Sequence, residues 1–120
     1  MQNADVKSSY EEGTLRFTLT GEIDHHSAPF VREKMDEAIF LYRPKRAVIA
    51  LSEIDFMDSS GLGLILGRYR NIKGLEGELL LESPTQRLRK ILYLAGVEKL
   101  IPIVQKDKEG RGHHEKSKDQ

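Results

Sequence analysis

The 120-residue sequence contains no cysteine. That excludes disulfides, thiolate nucleophiles and Cys-ligated zinc. It also lacks an excess of charge of either sign: 19 Lys and Arg stand against 19 Asp and Glu. With no global field to draw in a polyanion or an anionic lipid surface, nucleic-acid binding is not expected as its main role. No apolar run approaches the roughly 20 residues that would span a bilayer. Met1-Gln2-Asn3-Ala4-Asp5 does not open a charged start followed by an apolar stretch, so no secretory signal is expected. The expectation is a soluble, cytoplasmic domain.

Several chemistries are missing as well. Gly61-Leu62-Gly63-Leu64-Ile65-Leu66-Gly67 resembles a nucleotide loop, but Leu66 breaks G-x-G-x-x-G and no Gly-Lys-Ser/Thr is present. The pairs His25-His26 and His113-His114 have no third ligand at useful spacing, so no metal is expected. No Ser/His/Asp set can be assembled by spacing, so neither a catalytic residue nor a cofactor is expected.

What is present reads as one α/β domain. Its 38% apolar content suffices for a single core. Leu15, Phe17 and Leu19 alternate with polar residues, which predicts a half-buried strand. Glu12-Gly13 reads as a turn, so residues near Val6 to Tyr10 are expected to pair with it as an edge strand. Ser27 and Pro29 mark a helix start, and Val31, Met35, Ala38, Ile39 and Tyr42 continue at helical spacing up to Pro44. The run Ala47 to Leu51 is apolar throughout, which predicts a strand buried on both faces under helical cover.

A second helix is expected from Ser59 or Ser60 to about Lys73. At 100° per residue, Leu62, Ile65, Leu66, Tyr69, Ile72 and Lys73 share its sheet-facing side, and Leu64, Gly67 and Asn71 point outward. Leu79-Leu80-Leu81 reads as a buried strand, and Ser83-Pro84 as the cap and first turn of a third helix that ends at Gly96. Ile101 to Val104 is expected as an edge strand, because Pro102 cannot sit in a central one. The predicted architecture is a mixed sheet of four to five strands covered by helices, over residues 1–104. Residues 105–120 carry no sizeable apolar side chain and read as a charged, mobile tail.

The richest segment is Asp55-Phe56-Met57-Asp58-Ser59-Ser60-Gly61-Leu62-Gly63, where a buried strand hands over to a helix. A hydroxyl at that junction suits helix capping, anion binding or reversible phosphorylation. One cap suffices, yet Asp58, Ser59 and Ser60 are all able to serve. A spare hydroxyl there can take a phosphoryl group while the helix dipole accommodates the new charge. Glu22 and Asp24, after the first clear strand, read either as a solvated turn or as an acidic patch for a basic group on a partner.

Three segments resemble anti-sigma factor antagonists, and within them the branch acting in the sporulation sigma-F pathway. They are Leu19 to Ala28, Phe56 to Tyr69 and Leu92 to Val97. The resemblance covers roughly residues 5–104 and implies a single STAS domain. It further implies a partner switch. The unphosphorylated protein binds an anti-sigma factor that is also a serine kinase, and sigma is released. The kinase then phosphorylates the first serine of Asp-Ser-Ser-Gly, here Ser59, and a PP2C-type phosphatase reverses this. By the same resemblance, Asp24 meets an arginine of the kinase. The expected partner surface comprises Glu22, Asp24, Asp58, Ser60, Gly61, Gly63, Leu64 and Gly67. Relatives end in a further amphipathic helix that 105–120 cannot form. The competing reading is a small enzyme that binds or hydrolyses nucleotides at the Ser59 helix terminus.

Overall fold

Leu15, Phe17 and Leu19 are buried on one side of their strand, as the alternation requires. They belong to a computed structural model that describes residues 3–106 and the backbone of 112–114. The element order is β1 (Ala4–Glu11), β2 (Thr14–Ile23), α1 (Ala28–Tyr42), β3 (Arg46–Met57), α2 (Ser59–Gly74), β4 (Glu78–Glu82), α3 (Gln86–Leu94), a 3-10 turn (Val97–Lys99), β5 (Ile103–Lys106) and β6 (Gly112–His114). The strands lie side by side in chain order. β1 and β6 run antiparallel to their neighbours, and β2 to β5 are mutually parallel.

That order decides where the helices sit. Each parallel step moves one strand in the same direction, and right-handed crossovers then put α1, α2 and α3 on one face. On that face Phe17, Ile49, Leu81 and Ile103 align across four strands. They join Val31, Met35, Ile65, Ile72, Leu88 and Leu92 in a continuous core. Val48 and Ala50 face the other way and are also buried, but among the described residues they lie outside the core that the helices cover. The Arg16 guanidinium on β2 instead reaches across β3 to Glu82 on β4, and roofs them. Lys106 Nζ approaches the same carboxylate at 3.2 Å. The second face of β3 is thus closed by neighbouring side chains and an ion cluster, not by the helical cover expected.

Three further expectations need correction. Buried residues of α2 are Gly61, Leu64, Ile65, Arg68 and Ile72, so Leu64 points inward, at 5% exposure. The buried arc is rotated because α2 packs on α1 as well as on the sheet. The cap of α3 is Thr85, whose hydroxyl accepts from the Leu88 N–H at 3.2 Å, not Ser83. Ser83 adopts a positive φ of 54° and its Oγ accepts from Lys106 N–H. Finally, β5 runs past 104 to Lys106, and 112–114 pair with it as β6. Backbone pairing needs no apolar side chain, so a polar segment can extend a sheet edge. Six strands result; the rest of the expected tail lies outside the described residues.

Between α1 and α2 sits a buried cation. Arg68 Nε lies 3.1 Å from Asp36 Oδ1, and Asn71 donates to that oxygen at 3.2 Å. Arg68 Nη1 is buried without an acceptor. Burial lowers the Arg68 pKa; Asp36 opposes this and Arg32 reinforces it. A buried charge with incomplete pairing costs more than a hydrophobe of similar volume. Arg68→Met should therefore leave urea stability unchanged or raise it by about 1 kcal/mol, while Asp36→Ala should lower it by about 1–3 kcal/mol. Equal losses in both variants would show that the guanidinium itself is required.

Candidate phosphorylation and partner-binding site

Two loops meet at the C-terminal end of the parallel pair β2–β3. Ile23 pairs with Met57, and the Asp58 N–H then donates to the Ile23 carbonyl at 3.1 Å. The Asp24 loop and the Asp58-Ser59 junction are thereby held side by side. β2 reaches this point through two register shifts against β3, flanking Thr18/Thr20 and Gly21/Glu22. Gly21 has φ 95°, and a Cβ there would overlap the Asn3 carbonyl. Only glycine allows that approach, which lets the Glu22 N–H reach Asn3 O at 3.0 Å. Glu22 itself is exposed.

The Asp24 loop is closed by reciprocal hydrogen bonds. Asp24 Oδ1 accepts from the N–H groups of His26 and Ser27, both at 3.0 Å. Ser27 Oγ accepts from Asp24 N–H at 3.1 Å and donates to the Glu22 carbonyl at 3.0 Å. Ser27 stands at the cap position of α1 but makes no side-chain cap bond there. Its hydroxyl is buried and holds the loop instead. These bonds, the Ser27 N–H above all, pull the Asp24 carboxyl below its ordinary value of 3.8. Asp24 Oδ2 has no hydrogen-bond partner among the described residues, so one oxygen remains for an incoming donor.

At the second loop, Asp58 is the cap. Its Oδ1 accepts from Ser60 N–H at 2.8 Å, and its carbonyl accepts from Gly61 and Leu62. Ser59 is the first residue of α2 and is exposed. Its side chain takes no part in the cap. Ser60 is half-buried. Gly61 is buried, and a Cβ there would collide with the Met57 side chain and press on Ile23. The absence of a side chain there lets the helix pack closely on the strand. Gly63 and Gly67 differ: a Cβ at either meets nothing within 4 Å. The fold does not require glycine there, although each costs helix stability.

The sequence-predicted residues thus divide into two groups. Glu22, Asp24, Asp58, Ser59, Ser60 and Gly63 gather at or near the surface around one end of the sheet, with Gly67 further along α2. Leu64 and Gly61 are interior. Sequence reasoning missed Arg32 and His25, which line a cleft of about 350 Å³ with Ser60 and Gly63. It also missed Phe56, which pairs with Glu22 across β2–β3 and is 44% exposed. Among the described residues, no three His, Asp or Glu converge to hold a metal, and no helix is long and apolar enough to cross a membrane.

A sequence model of the STAS domain matches residues 6–110. The chain belongs to the STAS family. This STAS domain is 39% identical over 101 residues to an anti-sigma F factor antagonist of Paenibacillus polymyxa, covering 84% of the chain and 86% of that protein. It is 34% identical over 108 residues to an anti-sigma-B factor antagonist of Bacillus subtilis, covering 90% and 95%. The solved structure of the unphosphorylated anti-sigma factor antagonist SpoIIAA superposes with a TM-score of 0.75 at 29% identity, over 88% of this chain and 90% of that one. The phosphorylated form of the Bacillus cell fate determinant SpoIIAA gives 0.69 at 29% identity, over 88% and 94%.

The glycines can be told apart by experiment. Gly61→Ala should lower folding stability by about 1–3 kcal/mol through overpacking against Met57. Gly63→Ala should raise it by about 0.5–1 kcal/mol. Chemical denaturation reads both, and a destabilised Gly63→Ala would contradict the open space above that position. The Asp24 bonds also carry a pH dependence. A carboxyl lowered on folding contributes stability above its unfolded value, and that contribution disappears as pH falls through the lower folded value. Wild type should therefore lose stability below about pH 4 more steeply than Asp24→Asn does. Parallel acid-denaturation curves would remove Asp24 from that account.

Proposed function

We propose that the protein is an anti-sigma factor antagonist, without catalysis of its own, gated by phosphorylation of Ser59. Unphosphorylated, it binds an anti-sigma factor that is also a serine kinase, and sigma is freed in the cytoplasm. Phosphorylation on Ser59 switches binding off, and a PP2C-type phosphatase restores it. The observation that carries this reading is the division of labour at the α2 junction. Asp58 caps the helix, which leaves the exposed Ser59 hydroxyl free for modification without loss of the fold. The antagonists named among its relatives support the same reading.

The expected partner surface surrounds Ser59. Glu22 and Asp24 supply negative charge for a basic group, with Asp24 Oδ2 available. Asp58 and Ser60 border the acceptor serine, and Gly63 and Gly67 let a partner's backbone come close to α2. Leu64, largely buried, reaches this surface only as part of the wall of the cleft beside Ser60.

Electrostatics makes the switch adequate. A unit-charge pair at about 4 Å and effective dielectric near 20 interacts by about 4 kcal/mol, before screening. That corresponds to about three decades of affinity. A phosphate of roughly −1.5 to −2 charge can therefore expel a partner without any refolding. The competing nucleotide-hydrolysing reading rests on the anion-friendly start of α2 alone, and phosphate release by the pure protein would favour it.

Incubation with ATP and the cognate anti-sigma kinase, followed by peptide mass spectrometry, should find the phosphate on Ser59. Ser59→Ala should bind the kinase constitutively, and Ser59→Asp should bind at least about tenfold more weakly. Modification confined to Ser60, or wild-type affinity in Ser59→Asp, would break the assignment.

A further inference from the structure

We infer that the cleft between α1 and α2 receives a carboxylate side chain of the anti-sigma partner and pairs it with Arg32. The inference rests on the antagonist reading above and adds to it a second, oppositely charged contact. The cleft measures about 350 Å³, and its walls include His25, Pro29 and Arg32 on one side and Ser60, Gly63 and Leu64 on the other. It opens beside the Ser59 surface, because Ser60 belongs to both.

Arg32 is exposed and makes no ion pair among the described residues. The reason lies in its surroundings. One turn before it on α1 are Ala28 and Pro29, and three residues after it is Met35. None can neutralise it. The fourth neighbour, Asp36, is the natural helical partner. Its Oδ1, however, is taken by Arg68 Nε at 3.1 Å and Asn71 Nδ2 at 3.2 Å from α2. Asp36 is thus paired with α2 rather than with Arg32, and Arg68 still has a buried Nη1 without an acceptor. The neighbouring Glu33 lines the outer groove of α1 rather than this cleft. Glu33, Asp36 and Glu37 thus border Arg32 only from that outer groove, and among the residues lining this cleft Arg32 alone carries a formal charge.

The adjoining loop has the opposite sign, with Glu22 exposed and Asp24 offering a free oxygen. An acidic loop next to a basic cleft fits a partner surface that carries a basic and an acidic group at matching separation. Such alternation fixes register and rejects wrong partners more than it adds raw affinity. A phosphate on the chain's own Ser59 is a poorer occupant, because Ser60 lines the cleft and Ser59 does not.

Titration calorimetry of the full chain against the cognate anti-sigma kinase tests this. Arg32→Glu should weaken binding by about tenfold or more, Arg32→Gln by less, and Arg32→Lys should stay near wild type. Lys7→Glu, on β1 away from the cleft, should change nothing. All variants should melt like wild type, because Arg32 is exposed. Replacing the kinase's surface Asp and Glu residues by Lys, one at a time, should yield one variant that restores binding to Arg32→Glu. Wild-type affinity in Arg32→Glu would overturn the inference while leaving the antagonist reading intact. Failure of every charge swap would exclude a carboxylate as the occupant. An effect seen only on the phosphorylated chain would assign the cleft to its own phosphate instead. If the unaltered protein does not bind the kinase, the antagonist reading fails and this inference falls with it.

Discussion

The hydrogen bond from Asp58 N–H to the Ile23 carbonyl is the joint on which the site depends. It closes the last rung of the parallel β2–β3 pair and leaves two chain segments leaving the sheet together. One turns through the Asp24–Ser27 bonds into α1, and the other passes through the Asp58 cap into α2. Parallel strands with right-handed crossovers always deliver helix starts to the same end of a sheet. The bulged register of β2 and the left-handed Gly21 then fix how far the acidic loop stands from the serine junction. The site is therefore a consequence of strand pairing, and its precision comes from buried backbone groups with no freedom to move.

Around that joint, the chain separates holding from contacting. Ser27, Asp58 and Gly61 hold: a buried hydroxyl, a capping carboxylate and a residue without a side chain. Ser59, Gly63 and Gly67 do none of this work. Two glycines in the body of a helix cost about 1 kcal/mol each relative to alanine. Nothing within 4 Å accounts for them inside the domain. The open face they leave on α2 is what the proposed antagonist role would use for close approach of a partner.

Most of the architecture could be read from the sequence, because it is written in local signals. Alternation located β2, the apolar run located β3, and capping residues located the starts of α1 and α2. What escaped were features that depend on a second neighbour. A helical projection with one buried side turned Leu64 outward, but α1 covers that flank and the residue is 5% exposed. The serine before Pro84 looked like a cap, yet its positive φ commits it to the turn, and Thr85 takes the cap. β6 has no apolar pattern because it is recruited by an open sheet edge. Of the candidate site, Ser59, Asp24 and Glu22 were legible through motif and charge. The Arg32 cleft was not, since its charge depends on Asn71 and Arg68 occupying Asp36 from another helix.

By the same geometry, the proposed switch at Ser59 would need no conformational change. A phosphate added to a capping serine would compete with the cap and fray the helix. Here the capping carboxylate belongs to Asp58, and Ser60 contributes only its backbone N–H. The charge at Ser59 then arrives at the first turn, where the helix dipole favours it. Asp58 next to it opposes, so the two effects offset and the fold is left nearly indifferent to modification. A partner seated over the same residues, as proposed, would not be indifferent, because it would have to bring its own groups within a few ångströms of the new charge. Under the proposed function, indifference inside and penalty outside would let one phosphoryl group act on binding alone.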